Sequence, residues 1–106
     1  MQYVVANRVP VRPEFHAAFE ERFRQRAGEV EKQPGFVRME VLRPVDPGAP
    51  YVVLTHWESR EAFQNWVRGD DFKRAHQQPN PLPKEAFGEG GGLEQHEVII
   101  AAGKGV

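Results

Sequence analysis

The run Tyr51-Val52-Val53-Leu54-Thr55-His56-Trp57 carries apolar or aromatic side chains at alternate positions on both of its sides. Successive side chains of a strand point to opposite faces, so this strand asks to be covered twice. The chain offers two amphipathic segments for the purpose, and its elements read strand, helix, strand, strand, helix, strand. That order is the pattern of a ferredoxin-like, split βαβ domain of α+β class, with both helices on one face of an antiparallel sheet. The second face is then left for another subunit, which predicts a homodimer joined sheet to sheet.

At 106 residues the chain has room for one domain and one modest core. Its 14 basic and 15 acidic residues, for a net charge of -1, give no cluster of cations to neutralise a nucleic-acid backbone. Without cysteine it has no disulfide, thiolate metal site or thiol nucleophile. No apolar run reaches the roughly 20 residues of a membrane span, and the N-terminus lacks the pattern of a secretory signal. The expectation is a soluble cytoplasmic protein that binds neither nucleic acid nor membrane.

Taken in order, Gln2 to Val11 reads as the first strand, interrupted by Asn7 and Arg8. Asn is a poor strand former, so Asn7 marks either a turn or bulge, or a polar group aimed into a cavity. Phe15, Phe19, Phe23, Ala27 and Val30 then form one stripe of a helix that Pro13 opens and Gln33-Pro34-Gly35 stops. In Phe36 to Arg43, alternation sets Val37, Met39, Val41 and Arg43 toward the core. After a Pro/Gly/Asp loop and the Tyr51 to Trp57 strand, Ser59 is placed as the N-cap of a second helix with Ala62, Phe63, Trp66 and Val67 on its buried side. Gly69-Asp70 breaks that helix, and a further turn or two carries Phe72 and Ala75 toward His76. Residues 77–92 are rich in Pro and Gly and predict a long irregular loop. Leu93 to Ala102 supplies the last strand through Val98, Ile99 and Ile100, ahead of a fraying tail at 103–106.

Four histidines are candidates for chemistry. His16 reads as solvated, His56 as a hydrogen-bonded or exposed structural residue, and His96 as lacking a chemical partner. The glycines from Gly88 to Gly92 lack the flanking strand, helix and Lys-Ser/Thr of a phosphate cradle. His76 stands apart because it closes a stretch of 22 residues, Thr55 to His76, that holds both tryptophans of the chain. Trp66 and His76 are expected to border any site.

Several groupings then make the chain recognisable: Ala6-Asn7-Arg8, Glu21-Arg22-Phe23 with Gly28, Gly35-Phe36 with Met39, and Leu54-Thr55 with Trp57. Ala62-Phe63, Trp66, Phe72-Lys73 and Ala75-His76 complete them. Over residues 1 to 76 the chain resembles the antibiotic biosynthesis monooxygenase superfamily of dimeric α+β barrels. It is most similar to the small haem-degrading monooxygenases of the staphylococcal iron-regulated surface determinant type. The resemblance implies an Asn, Trp, His site at Asn7, Trp66 and His76. His76 would be the axial ligand of haem iron, Trp66 would press on the macrocycle, Asn7 would donate a hydrogen bond on the oxygen side, and Phe23 would contact the ring. Haem would be both substrate and oxygen activator, opened with O2 and electrons from a separate reductase, with no stand-alone metal. Two other activities stay open: a cofactor-independent oxygenase of a polycyclic phenol, and a non-enzymatic dimer that binds haem or another small ligand.

Overall fold

The computed structural model describes residues 1–26, 28–77 and 82–105. Strands β1 (Tyr3–Val9), β2 (Phe36–Leu42), β3 (Tyr51–Trp57) and β4 (Gly92–Glu97) form one antiparallel sheet in the order β2-β3-β1-β4. Helix α1 (His16–Gln25) links β1 to β2, and α2 (Arg60–Arg68) and α3 (Asp70–Gln77) lie between β3 and β4. This is the expected split βαβ order, and the further turns expected after Gly69-Asp70 form α3. Among the described residues, no helix is long and apolar enough to cross a membrane.

The register assigns every strand residue to a face. Tyr3, Val5, Asn7 and Val9 of β1 stand beside Trp57, Thr55, Val53 and Tyr51 of β3 on the helix side. Two separate cores form there. Tyr3, Val5, Val30, Trp57 and Trp66 pack together at one end, joined by Phe63, Phe72 and Ala75 of α2 and α3. Val11, Phe19 and Tyr51 pack at the other, joined by Phe23 of α1, by Phe15 of the 3₁₀ turn before it (Pro13–Phe15), and by Val9 and Val41. Trp57 and Tyr51, at opposite ends of β3, are each fully buried and anchor one core apiece. Burying two such aromatics contributes on the order of 2 kcal/mol each.

Several local expectations are corrected. β1 has no bulge at Asn7: its pairing with Val53 on one side and Leu93 on the other is unbroken. The irregularity falls in β2, where the register shifts between Phe36 and Arg38. Val37 is the extra residue there, and it is exposed rather than inward. The shift lets Phe36 and Met39, three positions apart, both face the helices.

α1 ends at Gln25, because Arg26 is extended with ψ near 147°, and Val30 reaches the core from a separate 3₁₀ turn, Val30–Lys32. Ala27, the fourth member of the predicted stripe, lies outside the described residues. His16 is half-buried, its ring edge-on to Tyr51 at 5.0 Å and its Nε2 2.9 Å from the Val11 carbonyl oxygen, so it is not a free surface residue.

Within 77–92, the described part carries a 3₁₀ turn, Lys84–Ala86, and an isolated bridge between Val11 and Phe87. β4 begins at Gly92 and ends at Glu97, before the apolar Val98-Ile99-Ile100 run that was expected to form it. Val98 N still donates to Gln2 O at 2.9 Å, while Ile99 and Ile100 are exposed.

Candidate active site

Four rows of side chains cross the helix side of the sheet, the first through Phe36, Trp57, Tyr3 and Glu97 at the end beneath α2, and the third is left open. Met39, Thr55, Val5 and Gln95 form the row beneath α2 and α3, and Tyr51 and Val9 form the row beneath α1. Between them run Val41, Val53, Asn7 and Leu93. Asn7 and Leu93 are exposed and Val53 is half-buried, although all face the helix layer. The row is therefore the floor of a groove between the two cores, apolar except for the Asn7 amide. The amide offers two donors and one acceptor in an otherwise apolar strip.

One wall is built by α2 and α3. Ser59 caps α2, its hydroxyl accepting from Ala62 N at 3.1 Å, and Glu61 sits in the first turn where the helix dipole favours it. The helix turns Trp66 into the core beside Tyr3 and Val5, with only 7% of its surface exposed. Phe72 then meets Trp66 edge-on at 5.3 Å and stacks on the His76 ring at 4.0 Å. His76 occupies the last turn of α3 and is exposed, with Nδ1 2.9 Å from the Phe72 carbonyl oxygen. A carbonyl only accepts, so in the neutral ring Nδ1 carries the proton and the lone pair resides on Nε2. This is the tautomer a metal ligand needs, held by a backbone partner.

Of the residues singled out from sequence, Trp66 and His76 are thus joined through Phe72, and Trp66 is joined through Val5 to the strand position next to Asn7 on the same face. Phe23 stands on the opposite side of the groove, in the α1 core. There it lines a cavity of about 470 Å³ with Glu20, Arg24, Met39, Val41, Arg43 and Tyr51. That volume is within the roughly 300–1,000 Å³ of ligand pockets. The trio of Asn7, Trp66 and His76 lies outside this cavity, and Val41 is common to the cavity and the groove floor.

Sequence reasoning missed the polar cluster of that cavity. Arg43 donates to Glu20 through Nε at 2.8 Å and through Nη2, and the Tyr51 hydroxyl donates to the same carboxylate. The Arg43 pair, then the Tyr51 hydroxyl, hold Glu20 down to about 2, while burial followed by the Glu20 hydrogen bond pushes Tyr51 up to about 12. Arg26 was missed too: its guanidinium lies over the Phe23 ring at 5.6 Å, with Nη1 3.0 Å from Met39 Sδ. The signal was present for Arg43, since an arginine continuing the inward alternation of Met39 and Val41 requires a carboxylate partner.

Comparison with known proteins places the chain in one family. The family described as antibiotic biosynthesis monooxygenase matches residues 2–78. A haem oxygenase (mycobilin-producing) of Mycobacterium tuberculosis is 38% identical over 104 residues, which cover 97% of this chain and 94% of the relative. A haem oxygenase (staphylobilin-producing) of Staphylococcus saprophyticus is 35% identical over 78 residues, 71% of this chain and 73% of the relative. The fold superposes on the haem-degrader MhuD from Mycobacterium tuberculosis, solved with two haems bound in its active site, with a TM-score of 0.78 and 35% identity over 95% of this chain and 99% of that one. SnoaB, a cofactor-independent oxygenase from Streptomyces nogalater, shares the fold at a TM-score of 0.67 and 24% identity, covering 94% of this chain and 95% of its own.

Proposed function

This chain belongs to the antibiotic biosynthesis monooxygenase family, and from that premise we propose that it is a haem-degrading monooxygenase, which opens the macrocycle with O2 and electrons from an external reductant and releases iron. Haem, when bound, supplies both the iron that activates dioxygen and the ring that is cleaved. The relatives that carry this reading are haem oxygenases matched over most of their length.

The observation on this chain that carries it is the state of His76. Its Nδ1 is committed to the Phe72 carbonyl, which leaves Nε2 to bind the iron from the rim of an apolar groove. Trp66 serves as a rigid wall held by Phe72 and by the core, against which a flat ring is pressed. Asn7, the polar residue of the groove floor, would offer its amide N–H to a molecule bound over the groove. Phe23 closes the far side of the groove against the macrocycle.

The outer face of the sheet supports a homodimer. Val4, Ala6, Val52 and Leu54 form its apolar centre, flanked by the Arg8–Glu94 pair and by His56, whose Nε2 is 2.9 Å from Glu40 Oε1. A second copy of the same face would cover this strip and leave both grooves open. The separate reductase delivers electrons to the exposed side of the groove, and the working compartment is the cytoplasm.

Titration with haem tests the enzyme. A Soret band characteristic of bound haem is expected, lost in His76→Ala, and consumed when a reductant is supplied under air with catalase present. A band that persists under those conditions would mean storage without turnover, and the absence of any band would overturn the haem reading.

A further inference from the structure

The cavity under α1 has no part in the roles given to Asn7, Trp66 and His76, yet its lining is that of a binding site. Phe23, Met39 and Val41 give it apolar walls, and Arg24, Arg43 and Glu20 give it a charged rim. Two guanidinium groups share the one carboxylate of the lining, with Glu21 reaching Arg24 from outside it. The carboxylate is already engaged: Glu20 accepts from Arg43 Nε and Nη2 and from the Tyr51 hydroxyl. This fork fixes the Arg43 guanidinium in one plane and leaves Nη1 outside the pair. Preorganised arginine of this kind is the donor best matched to a further carboxylate. Arg24 stands beside it, 3.5 Å from both Glu20 and Glu21, with its side chain largely exposed.

The cavity adjoins the groove at Val41. Val41 lines the cavity and pairs with Val53, which pairs in turn with Asn7. Two strand spacings, roughly 10 Å, therefore separate Asn7 from the cavity wall. A flat apolar ligand lying over Asn7 and Val53 extends its edge to Arg43.

We infer that this cavity receives the carboxylate-bearing edge of the tetrapyrrole, with Arg43 and Arg24 donating to its acid groups and Glu20 acting as a positioning residue that holds Arg43. The inference rests on the haem reading and adds to it the feature the site selects: an apolar macrocycle with carboxylates along one edge. It also orients the ring in the groove, because the acid edge is drawn toward β2 and away from α3.

The test compares iron protoporphyrin IX with its dimethyl ester, which keeps the ring and iron and removes both charges. Affinities are read from quenching of tryptophan emission in the wild type and in Arg43→Gln, Arg24→Gln and Glu20→Gln. The wild type is expected to prefer the diacid by about tenfold, the size of one charge-assisted hydrogen bond. Arg43→Gln removes most of that preference, and Arg24→Gln, an exposed substitution that leaves folding intact, reduces it. Glu20→Gln weakens the fork that positions Arg43 but keeps both donors, so the preference for the diacid falls by less than in Arg43→Gln.

Equal affinities for diacid and ester in the wild type, or a preference that no arginine substitution alters, overturn the inference while leaving the haem reading in place. Loss of preference in Glu20→Gln equal to that in Arg43→Gln shows a merely structural pair and also overturns it. Oleate provides a further arm: binding that depends on Arg43 as strongly as the diacid does assigns the cavity to a free fatty acid instead. Failure of both porphyrins to bind overturns the haem reading and this inference together.

Discussion

The His76 ring stacks on Phe72 at 4.0 Å while its Nδ1 lies 2.9 Å from the carbonyl oxygen of that same residue, so Phe72 holds both the plane and the tautomer of the imidazole. Phe72 also meets Trp66 edge-on. Phe72→Leu keeps the carbonyl and removes both ring contacts, each worth about 0.5–1.5 kcal/mol. Stability to urea is expected to fall by about 1–3 kcal/mol, and haem affinity by about tenfold, because His76 is no longer held. Haem affinity that stays at the wild-type value would separate Phe72 from the site.

The Glu20, Arg43 and Tyr51 cluster sets a pH signature at both ends of the scale. Glu20 is held at about 2 against an ordinary 4.5, first by the Arg43 hydrogen bond and then by Tyr51. A depressed carboxyl stabilises the folded state above its unfolded value, and this contribution is lost as pH falls from about 4.5 toward about 2. Tyr51 is pushed the other way, to about 12, mainly by burial. Its unfolded phenol ionises first, so stability declines as pH rises from about 10 to about 12. Urea midpoints measured across pH should show an acid loss in the wild type that is reduced in Glu20→Gln, and an alkaline loss that is reduced in Tyr51→Phe. Parallel profiles would dissolve the cluster.

The elements that were legible in the sequence are those whose local chemistry and tertiary role agree. Tyr51 to Trp57 is apolar on both sides and became one of the two strands with a neighbour on each edge, and Ser59 caps α2 as its type and position require. The misreadings share a cause, which is that a local pattern outran its structural context. The Phe15, Phe19, Phe23 stripe continues in the sequence past Gln25, but Arg26 is extended, and Val30 reaches the core from a different turn. Val98 to Ile100 has the higher strand propensity, yet the strand is Gly92–Glu97, a polar edge strand stitched to β1 by Tyr3 donating to Gln95 and by Arg8 pairing with Glu94. Such cross-strand pairs join residues some ninety positions apart and leave no local trace. Asn7 shows the limit from the other side: its residue type pointed to a turn or bulge ahead of a cavity, and only the unbroken register on both edges of β1 removes the bulge.

Leu54 tests the assembly. It lies at the centre of the outer face, beside Ala6 of β1 and Glu40 of β2. Leu54→Asp places a charge in an interface that would otherwise bury an apolar strip, where an unpaired carboxylate is strongly unfavourable. Sedimentation velocity should show the wild type as a dimer and this variant as a monomer that retains its fold by circular dichroism. A variant that remains dimeric would move the interface off this face.

Gly35 links the bulged start of β2 to the helix that carries Trp66. Its φ is +80°, a conformation that side chains rarely adopt, and its carbonyl accepts from Glu58 N at 2.7 Å just ahead of α2. A Cβ added there would lie 2.5 Å from Ala62 Cβ, on the buried side of α2. Gly35→Ala therefore combines left-handed strain of about 1 kcal/mol with overpacking of about 1–3 kcal/mol. The expected loss of stability is about 2–4 kcal/mol, with a parallel loss of haem affinity as α2 shifts Trp66. Ala62→Gly costs about 1 kcal/mol on its own through helix propensity. Combined with Gly35→Ala it removes the overlap, so the double variant should be more stable than the sum of the two single losses by more than about 0.5 kcal/mol. Strictly additive losses would assign the whole effect to the backbone angle and leave the contact between Gly35 and α2 without energetic weight.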